Sequence, residues 1–101
     1  MKKIIKGKKY DTETAEELFC EDSGGSTSDF NYWCERIFRK KTGEYFLFGE
    51  GHGFSIYATI CGNSRGWGQA IRPLTDNDLK EWFIRHDLVD EYETIFGKVE
   101  E

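Results

Sequence analysis

One hairpin signal constrains this chain more than any other feature. From Asp29 to Arg39 the side chains alternate with a period of two, so Phe30, Tyr32, Cys34, Arg36 and Phe38 share one face while Asn31, Trp33, Glu35, Ile37 and Arg39 share the other. Lys40-Lys41-Thr42-Gly43 then supplies a turn with glycine where a positive φ is needed, and Glu44-Tyr45-Phe46-Leu47-Phe48 returns antiparallel. Aromatic residues fall on both faces, so both are expected to be covered. The charged tip keeps the ribbon from pairing with other chains.

The flanking segments fit around this ribbon. Lys3 to Tyr10 reads as a first short strand interrupted by a turn or bulge at Gly7. In the segment Asp11 to Phe19, Thr14 with Glu17 matches a capping box, and Asp11 with Thr14 offers an alternative start, so a short helix ending near Cys20 is expected. Ser23 to Ser28 reads as a flexible loop. After Gly49 to Gly53, Phe54 to Cys61 reads as the third strand of the sheet, with Ile56, Ala58 and Ile60 facing one way. Gly62 to Gly68 is a second glycine-rich loop, and a last short strand near Gln69 to Arg72 is expected to end at Pro73.

The C-terminal third is the clearest stretch. Thr75 is an N-cap with Asp78 at the third helical position, and Leu74 and Leu79 have the spacing of a hydrophobic staple. Leu79, Trp82, Phe83 and His86 form one stripe, with Ile84 opposite. A second short helix starting at Asp87 places Leu88, Tyr92, Ile95 and Phe96 together and stops at Gly97. The expected fold is therefore α+β: one domain over residues 1–101, with a single antiparallel sheet of about four strands, a short N-terminal helix and two C-terminal helices.

Sixteen aromatic residues, eight Phe, five Tyr and three Trp, supply the core of a chain this small. Neither a membrane span nor a signal peptide is evident, so the protein is expected to be cytoplasmic. Cys20, Cys34 and Cys61 are odd in number and widely spaced, which reads as reduced, half-buried thiols. The charge is segregated. Residues 1–10 carry five lysines and no acid, residues 11–22 six acids and no base, and residues 75–101 nine acids against Lys80, Arg85 and Lys98, with a net charge of −5 for the whole chain. That balance repels nucleic acid and suits a basic protein surface, although the same charges would also keep a small protein soluble.

No constellation points to catalysis, a metal or a cofactor. The glycine clusters lack the spacing of a phosphate loop, and the two histidines occupy unlike settings, His52 in a loop and His86 at a helix end. Glu50 beside His52 is the one acid–base pair to consider. Arg36, Arg39, Lys40 and Lys41, next to strand aromatics, form the one candidate nucleic-acid surface. Arg65 and Trp67 sit in a glycine-rich loop, where Trp67 either anchors an interface or folds back on the sheet.

Four stretches together resemble a known group. They are Lys2-Lys3-Ile4-Ile5-x-Gly7-x-x-Tyr10-Asp11-Thr12-Glu13-Thr14-Ala15, Arg39-x-x-Thr42-Gly43-x-Tyr45-Phe46-Leu47-x-Gly49-Glu50-Gly51, Ile71-x-Pro73-Leu74-Thr75, and Asp90-Glu91-Tyr92-Glu93-x-Ile95-Phe96-Gly97. The pattern resembles small proteins of Gram-positive phages, plasmids and integrative elements, some of which are anti-CRISPR inhibitors of the type II-A nuclease Cas9. The chain departs from the group at Cys34, Cys61 and the loop from Gly62 to Gly68. The resemblance implies a non-enzymatic inhibitor in a bacterial host cell, with Cas9 or its guide-RNA complex as partner. The group supplies no individual site. The charge pattern supplies candidate contacts in Asp76, Glu81, Asp90 and Glu91, with Arg65 and Trp67 as loop anchors.

Overall fold

A computed structural model describes all residues from Met1 to Glu101. Ten elements follow in order: β1 (Lys2–Ile5), β2 (Lys8–Asp11), β3 (Glu16–Asp22), β4 (Trp33–Arg39), β5 (Tyr45–Gly51), β6 (Thr59–Cys61), β7 (Ser64–Gly66), β8 (Gly68–Leu74), α1 (Asp76–Arg85) and α2 (Val89–Phe96). The α+β class with one four-stranded antiparallel sheet and two C-terminal helices is as expected. The sheet order is β3-β4-β5-β8, with β1-β2 and β6-β7 as separate two-stranded ribbons.

The register of β4 on β5, with Ile37 opposite Leu47 and Phe38 opposite Phe46, sorts the sheet into two faces. On one face Ile37, Leu47 and Leu74 pack against Leu79, Trp82 and Phe83 of α1. On the other, Phe38, Phe46, Phe48 and Ile71 pack against Tyr10 of the N-terminal ribbon. Phe46 meets Tyr10 edge-on at 5.5 Å and stacks on Phe38 at 5.2 Å. The alternation of β4 thus works as expected: both faces are covered, one by helices and one by a β-ribbon.

Three expectations are overturned. The first is the N-terminal helix, which is absent. Asp11 does start a single turn, its carbonyl accepting from Ala15 N–H at 3.1 Å and its carboxylate from Glu13 N–H at 2.9 Å. The chain then extends into β3, because pairing with β4 places Phe19 opposite Ile37 and edge-on to Phe83 at 5.2 Å. Sheet pairing of six residues of β3 outweighs a local cap.

The second is the strand from Phe54 to Cys61. β8 takes the place beside β5, and the loop after β5 folds back over the sheet. Gly49, Gly51 and Gly68 lie on the same face, by the pairing of Gly51 with Gly68, and together leave a trough without side chains. The Tyr57 ring fills it over Gly49 and Ser55 over Gly51, while the Tyr57 carbonyl sits against Gly68. Ile56 and Ile60 consequently point into solvent, and only Thr59–Cys61 is extended, paired with β7. These glycines serve close packing rather than turns.

The third concerns strand ends. β4 begins at Trp33 rather than Asp29, since Tyr32 N–H closes a turn on the Asp29 carbonyl at 3.0 Å. β8 runs past Pro73 to Leu74, as an edge strand permits. The N-terminal strand is likewise a tight hairpin, with Lys6 at φ 51° and Gly7 at φ 79°, the left-handed pair of a two-residue β-turn.

The thiols also sort differently from the half-buried reading. Cys34 is buried, whereas Cys20 and Cys61 are exposed and all three are free.

Candidate partner-binding surface

The helical layer is built by strong local signals. Thr75 accepts from Asp78 N–H at 3.1 Å while Asp78 accepts from Thr75 N–H at 3.0 Å, a complete capping box. The bond from Thr75 N–H, and after it the Thr75 hydroxyl, hold the Asp78 carboxyl below its usual range. Leu74 and Leu79 are both buried in the core beneath. Gly97, at φ 92°, ends α2.

This layer displays the acids singled out from the charge pattern. Asp76, Glu81 and Asp90 are exposed and Glu91 is half-buried. No acid between Asp76 and Glu101 forms an ion pair. With nine acids and three bases, that segment carries a formal −6. Between the two helices opens an apolar groove of about 280 Å³, formed by Phe83, Ile84, Leu88, Val89, Tyr92 and Val99 with Asp87 at its edge. Ile84, already separate from the core stripe in the helical periodicity, is one wall of this groove.

The basic residues of the sheet behave in the opposite way. Arg36 lies between Glu17 at 3.5 Å and Glu50 at 3.3 Å, and Arg39 meets Glu16 at 2.9 Å. Lys40 reaches Glu44 at 4.0 Å and sits 4.2 Å over the Tyr10 ring. Lys41 alone of the four is exposed without such a partner. The candidate nucleic-acid hairpin is therefore largely neutralised within the molecule.

Arg65 and Trp67 lie apart from the acids, at the end of the sheet away from the β4–β5 turn. Arg65 Nε donates to the Gly53 carbonyl at 2.6 Å, which ties the β6–β7 ribbon to the loop after β5. Trp67 stacks on Tyr32 at 5.9 Å and meets His52 edge-on at 6.2 Å. Phe30 extends the cluster, 4.6 Å from His52 and 5.3 Å from Phe54. Trp67 thus leans on its neighbours on one side, while 38% of its surface remains open. Phe30 and Phe54 join this exposed aromatic cluster only because residues 29–32 and 52–58 turn, which strand periodicity had hidden.

Glu50 and His52 bond to different partners and not to each other. Glu50 accepts from Arg36 and from Gln69 at 3.1 Å, while His52 Nδ1 accepts from Gly53 N–H at 2.8 Å.

One polar cluster was invisible in the sequence. Glu35, on the helix-facing side of β4, is buried with its side chain 8% exposed. Its Oε1 accepts from Trp82 Nε1 at 2.8 Å, and its Oε2 accepts from the Tyr57 hydroxyl. His86 Nε2 lies 3.5 Å from Oε1, is buried and has no hydrogen-bond partner. Burial and the bond to Glu35 push the Tyr57 phenol well above its usual range. A cavity of about 290 Å³ borders the cluster, with Asn31, Trp33, Ile56 and Arg85 on its walls. Two donors, one from α1 and one from the loop after β5, meet one carboxylate, an arrangement that braces α1 and the glycine-trough loop on the sheet. No group of three or more His, Cys, Asp or Glu side chains is placed to hold a metal ion.

Comparison with family models, with curated proteins and with solved structures finds no match to this chain. No helix is long and apolar enough to cross a membrane.

Proposed function

We propose that this chain is a non-catalytic inhibitor of the anti-CRISPR kind that its sequence resembles, binding a basic surface of a type II-A CRISPR nuclease of the Cas9 class, free or with its guide RNA, in the bacterial cytoplasm. The observation that carries this reading is the contrast in charge pairing. The acids of α1 and α2 form no ion pair, whereas Arg36, Arg39 and Lys40 on the sheet are held by Glu16, Glu17, Glu44 and Glu50. Unpaired surface charge of one sign steers association with the opposite sign. Nucleases of this class hold their heteroduplex in a positively charged channel, which gives an acidic ligand a surface to compete for.

The test is capture of purified Cas9, with and without guide RNA, by the chain, followed by a cleavage assay with purified components. Binding should fall steeply as salt rises and should be lost on charge reversal of Asp76, Glu81, Asp90 and Glu91 together. A complex that forms equally well in high salt, or with the reversed surface, would refute the acidic face as the contact.

A second reading rests on one observation. Lys9, Lys40 and Lys41 line a polar cleft of about 150 Å³ together with Asp11, Thr14 and Thr42, and lysines that neutralise phosphates supply the sequence-independent part of nucleic-acid binding. A gel-shift assay on bare DNA and RNA decides it. Retarded complexes that disappear with Lys41→Glu would favour this reading over the first.

A further inference from the structure

Two surfaces left unused by the fold complement each other in shape and charge. The first is the β1–β2 ribbon. Its inner side packs Tyr10 and Ile5 on the sheet, while Ile4 is 75% exposed. All five lysines of the ribbon are exposed. Lys2 and Lys9 share the face of Ile4 and Lys6 stands in the adjoining turn, whereas Lys3 and Lys8 alternate to the other face, where Lys8 meets Glu44 at 3.3 Å. The register sets Ile4 directly opposite Lys9. A large aliphatic side chain held in solvent by an ordered ribbon and flanked by ammonium groups is an unusual surface, and the core does not require it.

The second is the groove between α1 and α2. Ile84 is 66% exposed, Val89 62% and Val99 58%, and the cavity they border holds about 280 Å³. Helical spacing puts Glu81 one turn before Ile84 and Glu93 one turn after Val89, and Asp87 borders the groove between the helices. Lys80 lies nearby, but its ammonium is held 5.0 Å over the Phe96 ring. The groove is thus an apolar socket with an acidic rim.

We infer that the lysine-flanked Ile4 of one copy docks in the groove between α1 and α2 of a second copy. The ribbon covers one face of the sheet and the helices cover the other, so a molecule cannot fill its own groove. Pairing of groove with groove is disfavoured, because each carries the −6 charge of the C-terminal segment. Ribbon against groove joins Lys2, Lys6 and Lys9 to that charge and removes Ile4, Ile84, Val89 and Val99 from water together. Each copy holds one plug and one socket, so the contact either closes into a ring or extends from copy to copy. A ribbon this short buries less than the roughly 1,200 Å² of a standard interface, which makes the contact weak and dependent on concentration. This inference is independent of the proposed target, although a target seated on the helical face would compete with it.

The experiment is sedimentation velocity on the purified chain alone. In low salt the mass should rise above 11.8 kDa as concentration increases, and it should return to 11.8 kDa in about 1 M salt, where screening acts within about 3 Å. Ile4→Glu, with the plug removed, and Ile84→Glu, with the socket blocked, should each remain monomeric. Both positions are exposed, so neither change should perturb the fold, which circular dichroism checks. An equimolar mixture of the two variants retains one intact plug and one intact socket, and should form a 1:1 dimer and nothing larger. A wild-type chain that is monomeric throughout, a single variant that still associates, or a mixture that stays monomeric would each overturn the inference.

Discussion

Trp82 of α1 donates its indole N–H to Glu35 of β4 at 2.8 Å, in a core where both side chains are shut off from water. Glu35 also receives the Tyr57 hydroxyl, so one carboxylate anchors both the helix and the loop after β5. Replacing it leaves two buried donors without an acceptor, and each such orphan costs about 1–3 kcal/mol. Glu35→Ala should lower the unfolding free energy by about 3 kcal/mol in urea denaturation, and Glu35→Gln, which keeps an acceptor, by less. Equal losses for the two would show that the volume of the side chain matters more than its bonds.

The same bond gives Tyr57 an alkaline signature. Burial first, and then the bond to Glu35, raise its pKa, so the folded state favours the neutral phenol. That contribution to stability is complete below the unfolded value of about 10 and is lost as pH climbs toward the higher folded value. Thermal melts in the alkaline range should therefore fall more steeply for the wild type than for Tyr57→Phe. Parallel curves would count against the coupling.

Gly68 lies directly under the Tyr57 carbonyl, where an added Cβ would overlap backbone. Gly68→Ala must push the 52–58 loop off the sheet and should cost about 1–3 kcal/mol. Gly66→Ala, only two residues earlier and with open space around it, is the control and should leave the melting temperature almost unchanged. If both variants melt alike, the glycine trough is not what positions the loop.

The three thiols should react unequally. Burial, followed by the neighbouring Cys20 sulfur at 3.6 Å, pushes the Cys34 thiol up to about 12, so almost none of it is thiolate at neutral pH. A maleimide reagent should label the exposed Cys20 and Cys61 quickly in native protein and Cys34 only after denaturation, as peptide mass mapping would reveal. Rapid native labelling of Cys34 would contradict its burial.

Helix α1 depends on its cap. Thr75→Ala removes the bond to Asp78 N–H and should cost about 1 kcal/mol. Because the Asp78 pKa is lowered by Thr75, its contribution is present above the unfolded carboxylate value and disappears as pH falls through the folded one. Acid titration of Asp78→Asn, followed by helical circular dichroism, should lack that part of the low-pH transition.

What could be read from the residues alone was whatever a few neighbouring side chains decide among themselves. Thr75 and Asp78 cap each other across three residues, Gly97 ends α2 in a conformation that favours glycine, and the turn from Lys40 to Gly43 joins two strands whose alternation matches their pleat. The unpaired acids of the C-terminal segment were legible in the same way, since Lys80, Arg85 and Lys98 are too few to neutralise nine carboxylates. Assembly decided the rest. Glu16 to Asp22 became a strand because β4 offered an edge and Phe83 a ring for Phe19, neither of which exists in the isolated segment. Gly49, Gly51 and Gly68 form a trough only once β5 and β8 lie side by side, and Glu35 finds Tyr57 and Trp82 only when residues 22 and 47 positions away fold onto its face. Contacts within one turn are encoded where they act, but a long-range contact has no local trace, because its partner arrives only with the assembled sheet.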